Sequence, residues 1–452
     1  MLYYPAIIIF YLLFICLAWK NIRWGVYAVV ALLPTYLIRY SVFGLPATLL
    51  EGMIWLLFII WLVKLKQERN LTFNPVKIFK NIVKSPMPAE QDANPLPNQL
   101  KLPLFLFLIA ATFSVFISAN QIAAAGIWKA YFIEPLLFFM IFLYTIKNQI
   151  QLKKVIRFLG LTVLAIGAFA VVQKLTGVLI PNPFWADEAT RRVTTFFGYP
   201  NANALLVVPV VLLTLSNLLT DKKKAIQIFN LAVLVLGALT VFLAKSTGGL
   251  IGLLAGFVFI LLFHKKTRLA ALLVILAVSL GLNFSLPVKK KIGYTLAKAS
   301  ETHLPLDASD FHIRAQQWRE TTAMLLDTPV FGAGLAGYQN LVAPYHQNPH
   351  VEIYLYPHNF FLNFWTETGF LGLISIIWIL IVFFILAAKN PNILTLTAAS
   401  AMIGLLVHGL VDVPYFKNDL SVLFWIIIGL MIIPTNQWRG ARVAESGVLE
   451  KR

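Results

Sequence analysis

The polar side chains best placed for chemistry stand in one stretch of the chain, residues 357–372, which reads PHNFFLNFWTETGFLG. Its histidine, His358, has an ordinary pKa of ~6.5, so the imidazole can accept a proton from a hydroxyl group near neutral pH. On a helix that begins here, four polar side chains lie on or beside one face: Asn359, Asn363, Thr366 and Glu367. A polar stripe is costly in a bilayer unless it faces protein or water, so the pattern indicates a functional site. A second interpretation stays open, in which His358 and Asn359 only cap the helix.

These polar residues belong to an otherwise apolar chain. Of its 452 residues, 59% are hydrophobic and 12% are charged, about half the charged share of a soluble domain. Apolar runs approaching ~20 residues, the length that crosses ~30 Å of hydrocarbon, recur along the sequence. The composition therefore predicts an all-α polytopic membrane protein with about 12–13 transmembrane helices. We place the spans at 3–19, 24–38, 45–63, 102–118, 127–146, 155–174, 201–219, 225–243, 248–263, 269–285, 369–387, 393–411 and 419–434.

The formal charge of +18 reports topology rather than a nucleic-acid partner. Excess lysine and arginine collect in cytoplasmic loops, and most of the 37 basic residues fall inside when the N-terminus is placed outside. This orientation gives a multi-pass protein of the cytoplasmic (inner) membrane whose candidate site faces the exterior. The predicted regions are a bundle at 1–285, a large outer loop at 286–357, C-terminal spans at 358–434 and a cytoplasmic tail at 435–452. Within the first region we expect a basic inner linker at 64–101 and an outer loop at 177–200.

The two outer loops hold cations and a predicted helix. Asp310–Leu326 carries apolar and aromatic residues at helical spacing, which predicts an amphipathic helix on the outer surface of the membrane. The predicted inner face is Phe311, Ala315, Trp318, Thr322 and Leu325. A glycine-rich turn follows at 332–338. No strand precedes it in the sequence pattern, so it is not a dinucleotide-binding fingerprint.

The order of these segments resembles one known family. His358-Asn359, followed after nine residues by Gly369-x-x-Gly372, is similar to a signature of the O-antigen ligase and Wzy-type polymerase superfamily of polytopic membrane glycosyltransferases. Further segments resemble family segments in the same order, from about residue 191 to residue 412. They are Arg192 with Gly198-Tyr199-Pro200-Asn201, Arg314-x-x-x-Trp318 with Gly332-x-Gly334, and His408-Gly409 with Asp412.

The resemblance implies a GT-C-like architecture and glycan transfer without a cofactor. Members of the family move a glycan from a polyprenyl (undecaprenyl) diphosphate carrier to an acceptor hydroxyl group on the outer face of the membrane. By this resemblance, His358 is the general base, and Glu367 is a catalytic residue that orients a partner or the substrate. The residues implied to bind the donor diphosphate are Arg192, Arg314, Arg191 and Lys245. Those implied to support the site are Asn359, Asn363, Trp318 and Asp412.

One position departs from the family pattern. Many members carry an arginine between a serine and a glycine at the start of the ninth span, where this chain has Ser246-Thr247-Gly248. Threonine cannot bind a phosphate through charge, so the neighbouring Lys245 is the residue that could compensate. A lysine offers a point charge instead of the two-pronged guanidinium of arginine.

Other functional classes are weaker on the same residues. The outer histidines are not spaced as a compact ligand set, so we expect transfer without a metal. No Walker motif is present in the sequence, which argues against an ATP-driven pump. A transporter or flippase of lipid-linked glycans is the alternative that stays open. Transporters, however, place charges on broken helices near the middle of the membrane, often in two related halves of the chain. The expected partners are the lipid-linked donor, the bilayer and an acceptor that is a glycan, a lipid or a protein. No nucleic-acid partner is expected. Ligation, polymerisation and protein glycosylation all stay open as the reaction.

Overall fold

A computed structural model describes residues 3–42, 45–69, 96–263, 267–269, 271–273, 275, 310–348 and 351–449. The first half contains helices α1 Tyr3–Lys20, α2 Ile22–Ala31, α3 Leu49–Arg69, α4 Asn98–Ile117, α5 Gln121–Trp128, α6 Glu134–Thr145, α7 Gln149–Thr176, α8 Pro183–Ala186 and α9 Pro200–Thr220. The second half contains α10 Lys224–Leu243, α11 Thr247–Phe263, α12 Asp310–Asp327, α13 Tyr338–Val342, α14 Phe360–Lys389, α15 Ile393–Gly409 and α16 Asn418–Leu449. Three predictions fall wholly or partly outside these residues: most of the linker 64–101, most of the span 269–285, and the outer loop from 286 to 309.

The predicted all-α polytopic membrane fold is confirmed. Six helical segments of the described chain are long and apolar enough to cross a bilayer, and shorter apolar helices accompany them. The six segments are Asn98–Ile117, Gln121–Thr145, Gln149–Thr176, Pro200–Thr220, Lys224–Leu243 and Phe360–Lys389. The strands described are two short ones, β1 Arg39–Val42 and β2 Leu45–Thr48, which form an antiparallel hairpin.

The region predicted as a single span at 24–38 is shorter and more irregular than expected. Helix α2 stops at Ala31, a 3-10 turn covers Leu33–Leu37, and the hairpin follows directly. Pro34 is the cause, because a proline lacks the N–H that the next helical hydrogen bond requires and is tolerated only in the first turn of a new element. Hydropathy marks the apolar stretch correctly but does not record this interruption.

Helix α9 lies at the centre of the bundle, and 83% of its apolar window is buried. It packs against α7, α10, α11 and α15. Small residues bring α11 and α15 close together, since a Cβ atom on Gly252 would lie 2.5 Å from the carbonyl oxygen of Gly404. The Ser400 hydroxyl also donates to the carbonyl of Gly256 at 2.8 Å. This contact fixes the C-terminal end of α15 beside the start of α11.

The helix predicted in the large outer loop is confirmed as α12, Asp310–Asp327. Its buried face differs from the predicted one, because Phe311 is 45% exposed and Thr322 is also exposed. Leu325 is buried as predicted, and the other buried side chains are largely polar: His312, Gln317, Glu320, Thr321 and Met324. A purely hydrophobic periodicity misplaces the face because α12 packs on polar protein groups, which bind Gln317, Glu320 and Thr321.

Candidate active site

His358 occupies the turn that leads into α14. Its backbone φ is +46°, a left-handed conformation that costs energy for a residue with a Cβ atom and that often marks functional sites. Its Nδ1 atom lies 3.2 Å from Oε1 of Gln317, and its carbonyl accepts a hydrogen bond from Nε1 of Trp318 at 3.4 Å. The ring of Tyr354 packs edge-on against the imidazole, with the ring centroids 5.1 Å apart. Helix α12 therefore holds both the backbone and the ring of His358.

The surroundings of His358 favour a neutral imidazole. Burial lowers its pKa below the ordinary value, the positive charge of Arg314 lowers it further, and the carboxylate of Asp412 acts in the opposite direction. Both charged groups are thus close enough to act on the ring. If the Gln317 amide accepts from Nδ1–H, the lone pair of the neutral ring is on Nε2, the atom that can take a proton.

The C-terminal end of α15 supplies a second histidine. His408 is buried, and its Nε2 atom lies 4.0 Å from Oδ2 of Asp412. A Cβ atom on Gly248 would lie 2.8 Å from Cδ2 of His408, so the first turn of α11 packs directly on this ring. The structure thus brings Arg314, His358 and Asp412 into one group, as the sequence predicts, and adds Gln317 and His408 to it.

Asn359 caps α14, as the second interpretation of the sequence expected. Its Oδ1 atom accepts hydrogen bonds from the backbone N–H groups of Phe361 and Leu362, at 3.0 and 3.1 Å. Its Nδ2 atom donates to the carbonyl of Leu410 at 3.0 Å. Asn359 therefore ties the start of α14 to the end of α15, next to His408 and Asp412.

Glu367 supports the glycine-rich turn. Its buried carboxylate accepts a hydrogen bond from the backbone N–H of Ala336 at 2.9 Å. About 13 Å of helical rise separates it from His358. The same stretch of α14 is bound to the turn through Ala333 N–H to the Thr366 carbonyl at 2.8 Å. The described contacts thus make Glu367 an anchor of the turn, without a direct contact to His358.

Glycines permit this close attachment. Gly332 has φ +63°, and a Cβ atom there would lie 2.4 Å from the carbonyl oxygen of Trp365. Gly369 has φ +67° inside α14, where the helix kinks. The Phe370 N–H donates to the Val330 carbonyl at 3.0 Å across this kink. The glycine pattern in the sequence therefore marks a junction between the outer loop and α14.

Two residues of the predicted polar stripe have unusual surroundings. Asn363 and Thr366 are fully buried, and within the described residues neither the amide atoms of Asn363 nor the hydroxyl of Thr366 has a hydrogen-bond partner. The stripe thus faces the protein interior, as the cost of exposing polar groups to lipid requires. Buried polar groups without partners are rare and are commonly satisfied by water or a ligand.

The two adjacent arginines predicted to bind phosphate make hydrogen bonds to different parts of the chain. Arg192 donates from Nε to the Ala244 carbonyl at 3.0 Å and from Nη2 to Oδ1 of Asn201 at 3.2 Å, so it braces the turn between α10 and α11 against the start of α9. Arg191 donates instead to the carbonyls of Ala186 and Lys174, at 3.0 and 2.9 Å. Side chains of successive residues in an extended segment point to opposite sides. Arg192 thus binds the turn that leads to Gly248 and His408, whereas Arg191 binds the loop at Ala186 and the end of α7.

Two further residues belong to this description: Lys245, which the sequence predicted, and Gln317, which it did not. Lys245 has φ +50°, and its ammonium group donates to the Thr190 carbonyl at 3.1 Å. Gln317 was missed by sequence reasoning, although it stands between Arg314 and Trp318 and shares a helical face with Arg314, three residues earlier. Polar residues on an amphipathic helix are assigned to solvent by default, so only the fold reveals that this one is buried.

Comparison with known protein families supports the resemblance. Residues 232–377 match a family model described as O-Antigen ligase (Wzy_C). This match supports the family that the sequence motifs resemble, and it covers about a third of the chain. The matched region contains α12, the glycine-rich turn and His358, whereas Arg192, His408 and Asp412 lie outside it. No curated protein matches the chain.

Proposed function

We propose that the chain transfers a glycan from a polyprenyl diphosphate carrier to an acceptor hydroxyl group at the outer face of the cytoplasmic membrane. The match of residues 232–377 to the O-antigen ligase model supports glycan transfer of the ligase or polymerase type in general. The observation that carries the proposal is the group around His358, in which a half-buried imidazole is under the influence of both the cation Arg314 and the carboxylate Asp412. Such a group can accept a proton and stabilise negative charge at the same place.

Each of these residues would have its own role in the transfer reaction. Nε2 of His358 takes the proton of the acceptor hydroxyl as its oxygen attacks the sugar carbon that is bonded to the diphosphate. The bond from that carbon to the phosphate oxygen breaks, and the lipid diphosphate leaves with the electron pair. The positive charge of Arg314 acts on His358, and Arg314 would stabilise the charge that develops on the leaving oxygen. Arg192, which is hydrogen-bonded to the turn before Gly248, would bind the donor diphosphate. Glu367 would hold the glycine-rich turn in place.

We further propose that no divalent metal takes part. Arg192 and Arg314 would supply the cations that a metal provides in other transferases. A chelator should therefore leave the transfer rate unchanged. Activity that disappears with chelator and returns with magnesium or manganese would contradict this part of the proposal.

The decisive experiment is reconstitution of the purified protein with a labelled polyprenyl-diphosphate glycan and candidate acceptors. The expected result is a covalent glycan–acceptor product that forms with the native protein and not with His358→Ala. A flippase would instead move the labelled lipid across the bilayer without forming that product. Folded native protein that yields no product with lipid, glycan or protein acceptors would overturn the proposal.

A further inference from the structure

A cationic pocket, separate from the residues around His358, lies beside the turn between α10 and α11. Its volume is about 370 Å³, and it is lined by Lys174 at the end of α7, Arg191 in the outer loop and Lys245 in the turn. The apolar side chains of Phe242 and Leu250 form part of the same lining. The pocket thus combines three positive charges with a hydrocarbon surface.

In the described part of the chain, no ion pair with an acidic side chain neutralises the positive charge of this pocket. Among the ion pairs of the described residues, none involves Lys174, Arg191 or Lys245. The nearby carboxylate of Asp187 accepts hydrogen bonds from the backbone N–H groups of Ala189 and Thr190 in its own turn. A concave site with unpaired cations concentrates anions.

Backbone carbonyls hold two of the cations in position. Nε and Nη1 of Arg191 bind the carbonyls of Ala186 and Lys174, and the ammonium of Lys245 binds the carbonyl of Thr190. The left-handed backbone of Lys245 is a strained conformation of the kind that clusters at binding sites. These bonds fix the groups without removing their charge, so the pocket is organised before a ligand arrives.

Exposed apolar side chains accompany the cations of the pocket. Phe242, which lines the pocket, is 64% exposed, and Leu175, which follows Lys174 in the chain, is 76% exposed. In the outer loop, Leu179 is 70% exposed. Clustered apolar side chains beside lysine and arginine fit the level of the bilayer where hydrocarbon meets charged headgroups.

We propose that this pocket binds the phosphate group of a membrane lipid, with the phosphate at Lys174, Arg191 and Lys245 and the hydrocarbon chain along Phe242 and Leu250. The ligand class is a phosphate or diphosphate attached to hydrocarbon, a chemistry shared by the polyprenyl diphosphate carrier and by anionic phospholipids. In the first case the inference rests on the proposed function and names a docking site for the donor, separate from the residues around His358. Thr247 also lines the pocket, and Gly248 packs on His408, so the two sites meet at one turn.

Binding measurements on purified protein test the proposal without requiring transfer. The probes are a polyprenyl diphosphate that carries no glycan, and dioleoylphosphatidylglycerol, each compared with phosphatidylcholine. Lys174→Gln should weaken binding of at least one phosphate probe about fivefold, the scale for one basic residue at an anionic surface, and Lys174→Glu should weaken it further. Lys389→Gln, at the C-terminal end of α14, is the matched control and should leave binding unchanged.

The two probes distinguish the source of the phosphate. Weaker binding of the diphosphate alone assigns the pocket to the donor carrier, and weaker binding of phosphatidylglycerol as well assigns it to lipid phosphates in general. Unchanged binding of both probes in folded Lys174→Gln and Lys174→Glu would overturn the inference. Because transfer is not the readout, failure of the proposed glycan transfer would appear separately, as absence of product in the reconstituted reaction.

Discussion

Nδ1 of His358 and Oε1 of Gln317 lie 3.2 Å apart and connect the start of α14 to the helix of the large outer loop. Gln317 is buried, and the carbonyl of the same residue accepts from the Thr321 hydroxyl. With the Gln317 amide oxygen as the acceptor, the neutral ring carries its hydrogen on Nδ1, and Nε2 is left to act as a base. The geometry therefore gives the outer loop a direct part in preparing His358.

The first prediction concerns His358 itself. His358→Ala should lower the transfer rate by about 10²–10⁴-fold, the usual contribution of a positioned base, while donor affinity stays near its native value. Initial rates and donor affinity, measured on purified folded protein, check this. Near-native turnover would remove the assignment of His358 as the base but not the match to the family model.

Asn359→Ala is the matched control for that experiment. It removes the cap of α14 and the bond to Leu410 and should cost about 1 kcal/mol of stability, with a smaller loss of rate than His358→Ala. A larger loss of rate in Asn359→Ala would favour the interpretation in which the histidine and the asparagine serve only to start the helix.

The second prediction is a shift in the pH dependence of transfer when Gln317 is replaced. Because burial, with a further contribution from Arg314, holds the pKa of His358 below its ordinary value of ~6.5, the native rate should fall only as the pH drops below that value. Gln317→Glu places a carboxylate beside Nδ1–H, which stabilises the imidazolium and moves the acid limb to higher pH. Gln317→Leu should lower kcat about tenfold or more, because the ring loses its orientation.

The pH–rate profile is the measurement, with Gln316→Glu on the same helix as the control. An acid limb at the same pH in native protein and in folded Gln317→Glu would show that His358 is not the titrating base. A purely structural role for Gln317 predicts lower stability in both variants and no movement of the limb.

Much of this arrangement could be predicted from the sequence. The apolar runs gave the membrane class, and the ordered motifs placed Arg314, His358 and Asp412 in one functional set, as their proximity in the structure indicates. Hydropathy predicted the existence of α12 but not its buried face, because the residues that pack there, such as Gln317 and Glu320, are polar. Their hydrogen-bond partners lie far away in the sequence.

The division between Arg191 and Arg192 was also beyond sequence reasoning. Adjacent arginines suggest one phosphate site, yet one guanidinium binds the carbonyls of Ala186 and Lys174 and the other braces the α10–α11 turn. The difference depends on the extended backbone of the loop and on which carbonyls its neighbours present. Lys174 was likewise placed in a transmembrane span, and only the fold shows that it lines a cationic pocket.

The third prediction separates two roles for Glu367. As an anchor, it needs only an oxygen that accepts from the Ala336 N–H, so Glu367→Gln should keep most of the activity. Glu367→Ala should lower both stability and rate, because a buried donor loses its partner, at a cost of about 1–3 kcal/mol. Thermal unfolding and initial rates of both variants provide the comparison. A loss of rate in Glu367→Gln as large as in Glu367→Ala would instead assign proton transfer to the carboxylate.

The fourth prediction concerns pH-dependent stability of the outer loop. Burial alone would lower the pKa of His346, but hydrogen bonds to Glu320 and to the Val351 carbonyl raise it above the ordinary value. The folded state therefore binds this proton more tightly than the unfolded state. The resulting stability, on the order of 1 kcal/mol for one charged hydrogen bond, is fully present below ~6.5 and is lost as the pH rises through the raised pKa.

His346→Gln tests this sign. Unfolding of the detergent-solubilised protein should occur at a lower temperature in the variant than in the native protein at about pH 5.5, and the difference should shrink toward pH 8.5. Glu320→Gln should show the same pattern. A difference that grows with pH would mean that the histidine is neutral in the folded loop.

The last prediction contrasts Arg314 with Arg192. Arg314 lowers the pKa of His358, so Arg314→Ala should move the acid limb of the rate profile to higher pH as well as reduce the rate. Arg314→Lys keeps the charge and should restore the position of the limb, with only partial recovery of the rate, because a lysine cannot form two parallel bonds to a phosphate.

Arg192 makes hydrogen bonds to Ala244 and Asn201 that a lysine cannot reproduce together, so Arg192→Lys and Arg192→Ala should both weaken the turn before α11. Their acid limb should stay in its native place, since Arg192 does not act on the pKa of His358. Rate profiles and donor affinities of the four variants are the measurements. A limb that moves equally in Arg192→Ala and Arg314→Ala would mean that the two arginines share one site around the imidazole, against the division of roles that their hydrogen bonds indicate.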